Sequence, residues 1–445
     1  MTHTTQLYKK SHQNLQRRVV VTGMGAVTPL GNSVRDTWLR LTQGKSGIGP
    51  ITLFDASRFP TRIAGEVKGF SFEKWLERNP PLGCASRSTF FALQAAAEAY
   101  KDAMLGPLIV NPNRFGIYFG AGDSGIDFGP FIKTLVPSFT KDGPEVVDKG
   151  KYLQLAGENM SALRELENQP FMTVTHLTRL FDIRGPVSNC LTACAASSQA
   201  IGEAFEWIRR GDADIIMAGG SHSMIYPMGV AGFSLLTALS TRNSEPEKAS
   251  RPFDKKRDGF VISEGAGVLI LEALEHARKR KAPIHGEIVG FGSTADAYRL
   301  TDMDPEGKGA AHAMEIAMEK ACVRPQNVDY INAHGTSTSV NDSLETLVIK
   351  KVMGDYASKV PVSSTKSMLG HMIAAAGGVE AIICLMAMRD SIIPPTINYE
   401  EPDPECDLDY VPNTVRRSNV NIALSNSFGF GGQNICLALR RYDGS

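Results

Sequence analysis

Among the seven cysteines of this chain, Cys194 has the surroundings of a nucleophile. It lies in the run Asn189–Ser198, between Gly185–Pro186 and an alanine-rich segment, Ala195–Arg210, whose pattern predicts a helix. The thiol therefore falls at or near a helix N-terminus. Unpaired N–H groups and the positive end of the helix dipole there favour thiolate over thiol. A thiolate so placed attacks thioesters. Taken alone, Cys194 reads equally well as a small buried hydrophobe. Cys190 precedes it by one helical turn, but no second cysteine pair accompanies the two, so no metal site is expected.

Two histidines have suggestive settings. His334 lies in Asn332–Thr338, directly after an apolar strand, beside a glycine and three hydroxyls. Strand-end loops of this kind are where α/β folds carry reactive groups. His371 closes Ser364–His371, with Lys366 five residues before it and an Ala/Gly-rich helix after it. Each histidine alone is more often a surface or core residue. A nucleophilic cysteine, two imidazoles and a lysine together form a plausible set for thioester and carboxylate chemistry.

These groups need rigid elements to hold them. Apolar runs at Arg18–Thr22, Phe115–Phe119, Ile215–Ala218, Val268–Leu271, Tyr330–Ala333 and Asn421–Leu424 read as strands. Ala92–Met104, Ala195–Arg210 and Ala310–Cys322 read as helices between them. Strand alternating with helix predicts an α/β chain with covered sheets. Its 445 residues are many for one core, so two packed or duplicated units are expected. An echo supports duplication: the segment from Arg17 to Thr28 is matched by the one from His285 to Ala297. Gly23-Met-Gly25 reads as a tight turn rather than a dinucleotide loop, because position 28 is Thr and no strand-final acid follows. Phe428–Gly432 has no Lys-Ser/Thr and is not a P-loop. Ser124–Gln169 reads as a surface excursion with one short helix around Tyr152–Leu166.

Composition narrows the partners. Acidic and basic residues balance at 47 each, which argues against nucleic acid as the main partner. No stretch is apolar for long enough to span a bilayer. Residues 1–16 have no apolar core and no acid, so they are expected to be a short disordered arm, with a transit peptide as the other reading. Seven scattered cysteines suit reduced thiols and a cytoplasmic setting.

Four motifs in register are more specific than any one of them. Thr192–Ser198 (T-A-C-A-A-S-S), Asn332–Thr338 (N-A-H-G-T-S-T), Ser363–His371 (S-S-T-K-S-M-L-G-H) and Asn426–Gly432 (N-S-F-G-F-G-G) together resemble the elongating β-ketoacyl-acyl-carrier-protein synthases. Leu239–Asn243 and Arg251–Phe260 also match, and the similarity runs from about residue 17 to 442. The resemblance implies a thiolase-like fold, two similar α/β halves in a five-layer α-β-α-β-α arrangement. They are expected at 17–275, carrying the nucleophile, and 276–445, carrying both histidines. It implies that Cys194 accepts an acyl chain, that His334 and His371 assist decarboxylation of malonyl-ACP, and that Lys366 keeps the local electrostatics in order. It also implies an oxyanion hole from the N–H groups of Cys194 and Phe430, with Phe430 as a gate. Thr336 and Thr338 would hold the phosphopantetheine arm, with Asp342, Glu345, Glu380 and Phe428 as supports. No metal, flavin or nucleotide is implied, only the phosphopantetheine of an acyl carrier protein (ACP). A homodimer is expected, or a heterodimer with a related subunit.

The resemblance leaves functional alternatives. Thiolases need a second cysteine in the C-terminal motif, which this chain lacks there; initiating synthases carry Asn where His371 stands. Fatty-acid elongation is the first expectation, and a type II polyketide or other specialised ketosynthase is the second. The long stretch between Gly120 and Gly185 favours the latter. A subunit that only docks carrier protein is disfavoured by the intact Cys-His-His set. Lys255, Lys256 and Arg257, with Arg242, are the expected basic surface for an acidic carrier protein.

Overall fold

The computed structural model describes residues 17–78, 80–106, 110–122, 125–141 and 143–444. The arm expected at residues 1–16 lies outside them. Ten strands make the main sheet: β1 (Val19–Val27), β2 (Phe115–Ala121), β3 (Val187–Cys190), β4 (Ile215–His222), β5 (Gly265–Ala273), β6 (Gly286–Ala295), β7 (Tyr330–Asn332), β8 (Val362–Ser363), β9 (Ile422–Gly429) and β10 (Gln433–Arg440). Their order is β8-β7-β9-β10-β6-β1-β5-β4-β2-β3. Cut between β6 and β1, this is the same sequence twice. Numbered within its own half, each set of five strands runs 3-2-4-5-1. In both halves the first three of these are parallel and the rest antiparallel. β1 and β6 join the halves antiparallel, with Val19 opposite Ile288.

Side-chain alternation builds the layers. Along β5, Val268 and Ile270 face a cluster with Ala92, Ala95 and Ala99 of α1 (Arg87–Asp102). Leu269 and Leu271 face the opposite way, toward Ile201, Ala204 and Ile208 of α2 (Ala196–Arg210). In the second half Cys436 and Ala438 of β10 meet α3 (Lys308–Ala321) and α4 (Ser339–Met353). Leu437 and Leu439 turn inward to α5 (Ala376–Asp390). α2 and α5 pack on each other between the two sheets. The result is helix, sheet, central helices, sheet, helix, as the resemblance implies. Both sheets are covered on both faces, which is why their strands read as unbroken apolar runs.

Gly23 and Gly25 do not form a turn. β1 continues through them to Val27, with a bulge between Val21 and Gly23. A Cβ on Gly23 would lie 2.1 Å from the Ala99 carbonyl oxygen, and one on Gly25 1.9 Å from that of Ala95. The glycines let α1 lie directly on the strand, so close helix approach is their purpose. The echo repeats the device. On β6 a bulge falls between Ile288 and Gly290, and Cβ atoms on Gly290 and Gly292 would lie 2.0 and 1.9 Å from the carbonyls of Ala317 and Ala313.

The excursion is more ordered than its composition suggests. Helices span Phe128–Leu135, Lys149–Asn159 and Ala162–Glu167, and Phe139–Thr140 pairs with Gly143–Val147. The expected single helix is broken at Met160–Ser161, where Met160 takes extended backbone. Among the described residues no helix is long and apolar enough to cross a membrane.

Candidate active site

Cys194 sits at a sharp elbow. β3 ends at Cys190, Ala193 adopts a left-handed φ of 46°, and a single 3₁₀ turn, Ala193–Ala195, feeds α2. A non-glycine residue held at positive φ costs free energy, and the surrounding packing maintains it. The side chain is buried at 4% exposure. Burial pushes the thiol up to about 11, against the opposing pull of the Phe430 backbone N–H, Lys366 and the Cys194 backbone N–H. The sequence expectation of a resting thiolate is therefore corrected. Those backbone N–H groups and Lys366 do lower the pKa, but desolvation of the charged form outweighs them. The Phe430 and Cys194 N–H groups reach the sulfur, where an oxyanion hole was expected.

His334 follows β7 and His371 follows a short helix, Lys366–Leu369, after β8. Their rings meet edge to face, centroids 5.4 Å apart and planes at 82°. One donor atom each from Cys194, His334 and His371 lie within 4.8 Å of one another. Burial drives both imidazoles well below their usual pKa, and the nearby Lys366 adds to this. Both are neutral at pH 7. Nδ1 of His371 accepts from the Ile373 N–H at 3.3 Å, so the ring proton belongs on Nε2, which has no partner among the described residues. That nitrogen is a free donor.

The supports lie one shell further out. Glu345 holds the His334 loop from beneath. It accepts from the backbone N–H groups of His334 at 2.8 Å and Gly335 at 2.7 Å, and from Asn426 at 3.2 Å. Burial pushes its carboxyl up to about 7, opposed by these donors. Asp342 accepts from the N–H groups of Phe253 and Ser337, and Arg257 lies 3.8 Å away. Lys366 and Glu380, both 2% exposed, form a buried ion pair behind the histidines. Burial raises the Glu380 carboxyl and Lys366 draws it back. Phe428 packs against His334 at 5.9 Å, and Phe260 against His371 at 5.3 Å.

A cavity of about 300 Å³ opens from this cluster to solvent. Its lining includes Cys194, His334, His371, Thr336, Thr338 and Phe430. The Thr336 and Thr338 hydroxyls are 2.9 Å apart. Thus Cys194, both histidines, both threonines, Phe428 and Phe430 share one cavity, whereas Lys366, Asp342, Glu345 and Glu380 stand outside it. Sequence reading missed Asn426 and Phe260, although both lie in motifs it had singled out. The basic surface is corrected in part. Arg257 is buried and donates to the carbonyls of Thr338 and Ser339 and to Asp403, so it braces the site loop; Lys256 is paired with Glu401.

A thiol and two imidazoles could also hold a divalent cation, so geometry alone leaves the chemistry open. Comparison with known proteins narrows it. Residues 16–277 match the family model "Beta-ketoacyl synthase, N-terminal domain", and residues 285–400 match "Beta-ketoacyl synthase, C-terminal domain". The chain is 44% identical to 3-oxoacyl-[acyl-carrier-protein] synthase 2 of Coxiella burnetii, over 96% of this chain and 99% of the relative. Among solved structures, the type II polyketide ketosynthase of the AntDE:AntF complex superposes with a TM-score of 0.84 at 35% identity, covering 96% of this chain and 100% of that one. The ishigamide ketosynthase/chain length factor gives a TM-score of 0.81 at 34% identity, with the same coverage. This chain, with its elbow cysteine facing two neutral histidines, belongs to the β-ketoacyl synthase family of carbon–carbon bond-forming acyltransferases.

Proposed function

We propose that Cys194 carries an acyl chain and condenses it with malonyl-ACP to give a β-ketoacyl-ACP, as the names of the curated relatives suggest. The observation that carries this reading is the grouping of one thiol and two neutral imidazoles at the floor of an open cavity. Fatty-acid elongation is the assignment. The reaction needs no free cofactor, because phosphopantetheine arrives on the carrier protein.

In the first step the Cys194 sulfur attacks the acyl-ACP thioester. The thiol proton leaves with the departing pantetheine thiol, and the N–H groups of Cys194 and Phe430 hold the tetrahedral oxyanion. Starting from a thiol rather than a thiolate, the site has to shed this proton as the sulfur attacks. The malonyl carboxylate then leaves as CO₂, and its electron pair forms an enolate. His334 and His371 donate N–H to that oxygen, each neutral ring from its one protonated nitrogen. The enolate carbon attacks the Cys194 thioester and expels the sulfur, which takes a proton. Burial keeps the imidazoles neutral, and Lys366, paired with Glu380, adds to this rather than acting as a nucleophile. Thr336 and Thr338 hold the phosphopantetheine arm, and Phe430 gates the acyl side.

A specialised ketosynthase is the second reading, favoured by the ordered excursion between β2 and β3 and by the polyketide assignment of a structural neighbour. For partners we infer a carrier protein and a second subunit, identical or related. β3 is an edge strand, and exposed Val187, Leu191, Phe171 and Leu153 form apolar surface near it and on the excursion that suits such an interface. We place the protein in the cytoplasm and divide it into halves at 17–275 and 276–445, a division that the repeated strand order supports.

The test is intact-mass analysis with a panel of acyl-ACPs, beside Cys194→Ala, followed by malonyl-ACP. A mass gain lost in the variant and discharged as β-ketoacyl-ACP supports the reading. A gain that survives in Cys194→Ala overturns it.

A further inference from the structure

A second cavity, of about 240 Å³, shares Met224 and Ile225 with the apolar cluster around Cys194. Its lining includes the polar side chains of Ser86, Arg87, Asn168, Thr173, His222 and Ser223. Most of these groups are already satisfied. Arg87 donates to both Glu264 oxygens at 2.7 and 2.6 Å, Ser223 donates to Glu264 at 2.7 Å, and Thr173 bonds Thr89 at 2.8 Å. His222 is the exception. It is 2% exposed, and its Nε2 has no hydrogen-bond partner among the described residues. Burial lowers its pKa to about 4, so the ring is neutral, with one donor and one acceptor nitrogen. An orphaned buried nitrogen is unfavourable until something in the cavity pairs with it.

The position of His222 is built rather than incidental. It ends β4 opposite Gly265, where a Cβ would lie 2.9 Å from the sulfur of Met372, the residue after His371. On the other side a Cβ at Gly122 would fall 2.2 Å from His222 Nδ1, so only glycine leaves room for the ring. Met224 and Ile225 line this cavity and also belong to, or pack on, the apolar cluster that contains Cys194. Those two side chains are the apolar boundary between the cavity and the cluster around Cys194.

We propose that this cavity receives the acyl chain carried by Cys194 and that His222 recognises an oxygen function in it, a ketone or a hydroxyl. The inference rests on the proposed acylation of Cys194, and its oxygenated chain goes with the specialised ketosynthase reading rather than with plain fatty-acid elongation. A saturated alkyl end would strip water from His222 and return no hydrogen bond. An oxygenated chain supplies the missing partner, and sites built to bond a polar group reject the analogue that lacks it more strongly than apolar pockets sort methylenes. Met224, with its flexible thioether side chain, provides a wall that yields as the chain passes.

The experiment uses the full chain and ACP thioesters of one length: a saturated acyl-ACP, and acyl-ACPs with a single ketone or hydroxyl at successive carbons. The second-order rate of Cys194 acylation is read by intact mass. The expected result is a preference of at least about tenfold for oxygen at one position. His222→Leu is expected to bring that ratio to about one, and His222→Gln, which keeps a donor and an acceptor, to retain part of it. If His222→Leu does not fold, the wild-type panel and His222→Gln decide. Equal wild-type rates mean that the cavity holds only water, and the inference fails. A preference that persists in His222→Leu removes His222 as its source. Absence of acylation with every thioester sinks the reading of Cys194 itself, which equal rates would leave intact.

Discussion

The two halves of the molecule are copies in architecture and opposites in chemistry. Each runs its strands in the order 3-2-4-5-1 and bulges its first strand before a Gly-x-Gly. Each closes with an elbow at positive φ, Ala193 at 46° and Ile373 at 44°, followed by a 3₁₀ turn and a central helix. The two elbows touch, and the Gly378 N–H donates to Ser197 across them at 2.8 Å. The first elbow presents Cys194; the second presents Ala374 at the same place. In the first half only Leu191 and Thr192 separate the strand from its elbow, whereas in the second that connection carries Lys366 and His371. His334 follows the strand equivalent to β2. The scaffold fixes where chemistry can occur, and loop content decides what each half contributes.

The largest effect should come from the elbows. Cys194→Ala is expected to abolish acylation by acyl-ACP, while Ala374→Cys in that background should not restore it, because Ala374 is buried outside the cavity that Cys194 shares with the two histidines. Intact mass reads both, and loading on the Ala374→Cys thiol would break the asymmetry. Next come the imidazoles. His334→Ala and His371→Ala should each slow CO₂ release from malonyl-ACP by about 10²–10⁴-fold, the usual range for a positioned proton-handling group. Acylation of Cys194 should suffer less.

The third test concerns the ion pair in the second half's longer connection. Lys366→Met leaves the Glu380 carboxylate buried without its counter-charge and should destabilise the protein by about 3–5 kcal/mol in denaturant titrations. Replacing both partners with methionine should return much of that loss. If the single variant is as stable as wild type, the pair has no structural role. Smaller still is the glycine device. Gly23→Ala and Gly290→Ala should each cost about 1–3 kcal/mol through overpacking against α1 and α3. Similar losses would sharpen the equivalence of the halves, and a large difference would weaken it.

The smallest effect concerns protonation at the elbow. Because burial raises the Cys194 thiol to about 11, little thiolate exists at pH 7 and its fraction grows tenfold per pH unit below that value. Alkylation of Cys194 by iodoacetamide should therefore still be rising at pH 10, where a free cysteine, half ionised at about pH 8.5, has levelled off. A plateau near pH 7 would mean that the helix end, not burial, controls this thiol.

Much of this could be read before any fold was known, because periodicity and motif are local. Apolar runs marked the covered strands, the matched segments at Arg17 and His285 announced the repeat, and four short motifs named the cluster. Other features resist local reading. Gly23 and Gly25 resemble a turn in one dimension, and only the packing of Ala95 and Ala99 on them shows a continuous strand. Arg257 belongs to an apparent surface charge run, yet the fold buries it under the His334 loop, because the carbonyls of Thr338 and Ser339 and the Asp403 carboxylate come from distant segments.

The sequence by itself determined the element types, the doubling and the residues of the thiol–imidazole set, since these depend on neighbours within a few positions. Tertiary structure alone decided the protonation of Cys194, the neutrality of both histidines and the unpaired nitrogen of His222. Those properties follow from desolvation, and a chain folds water away from a side chain only by bringing remote segments around it.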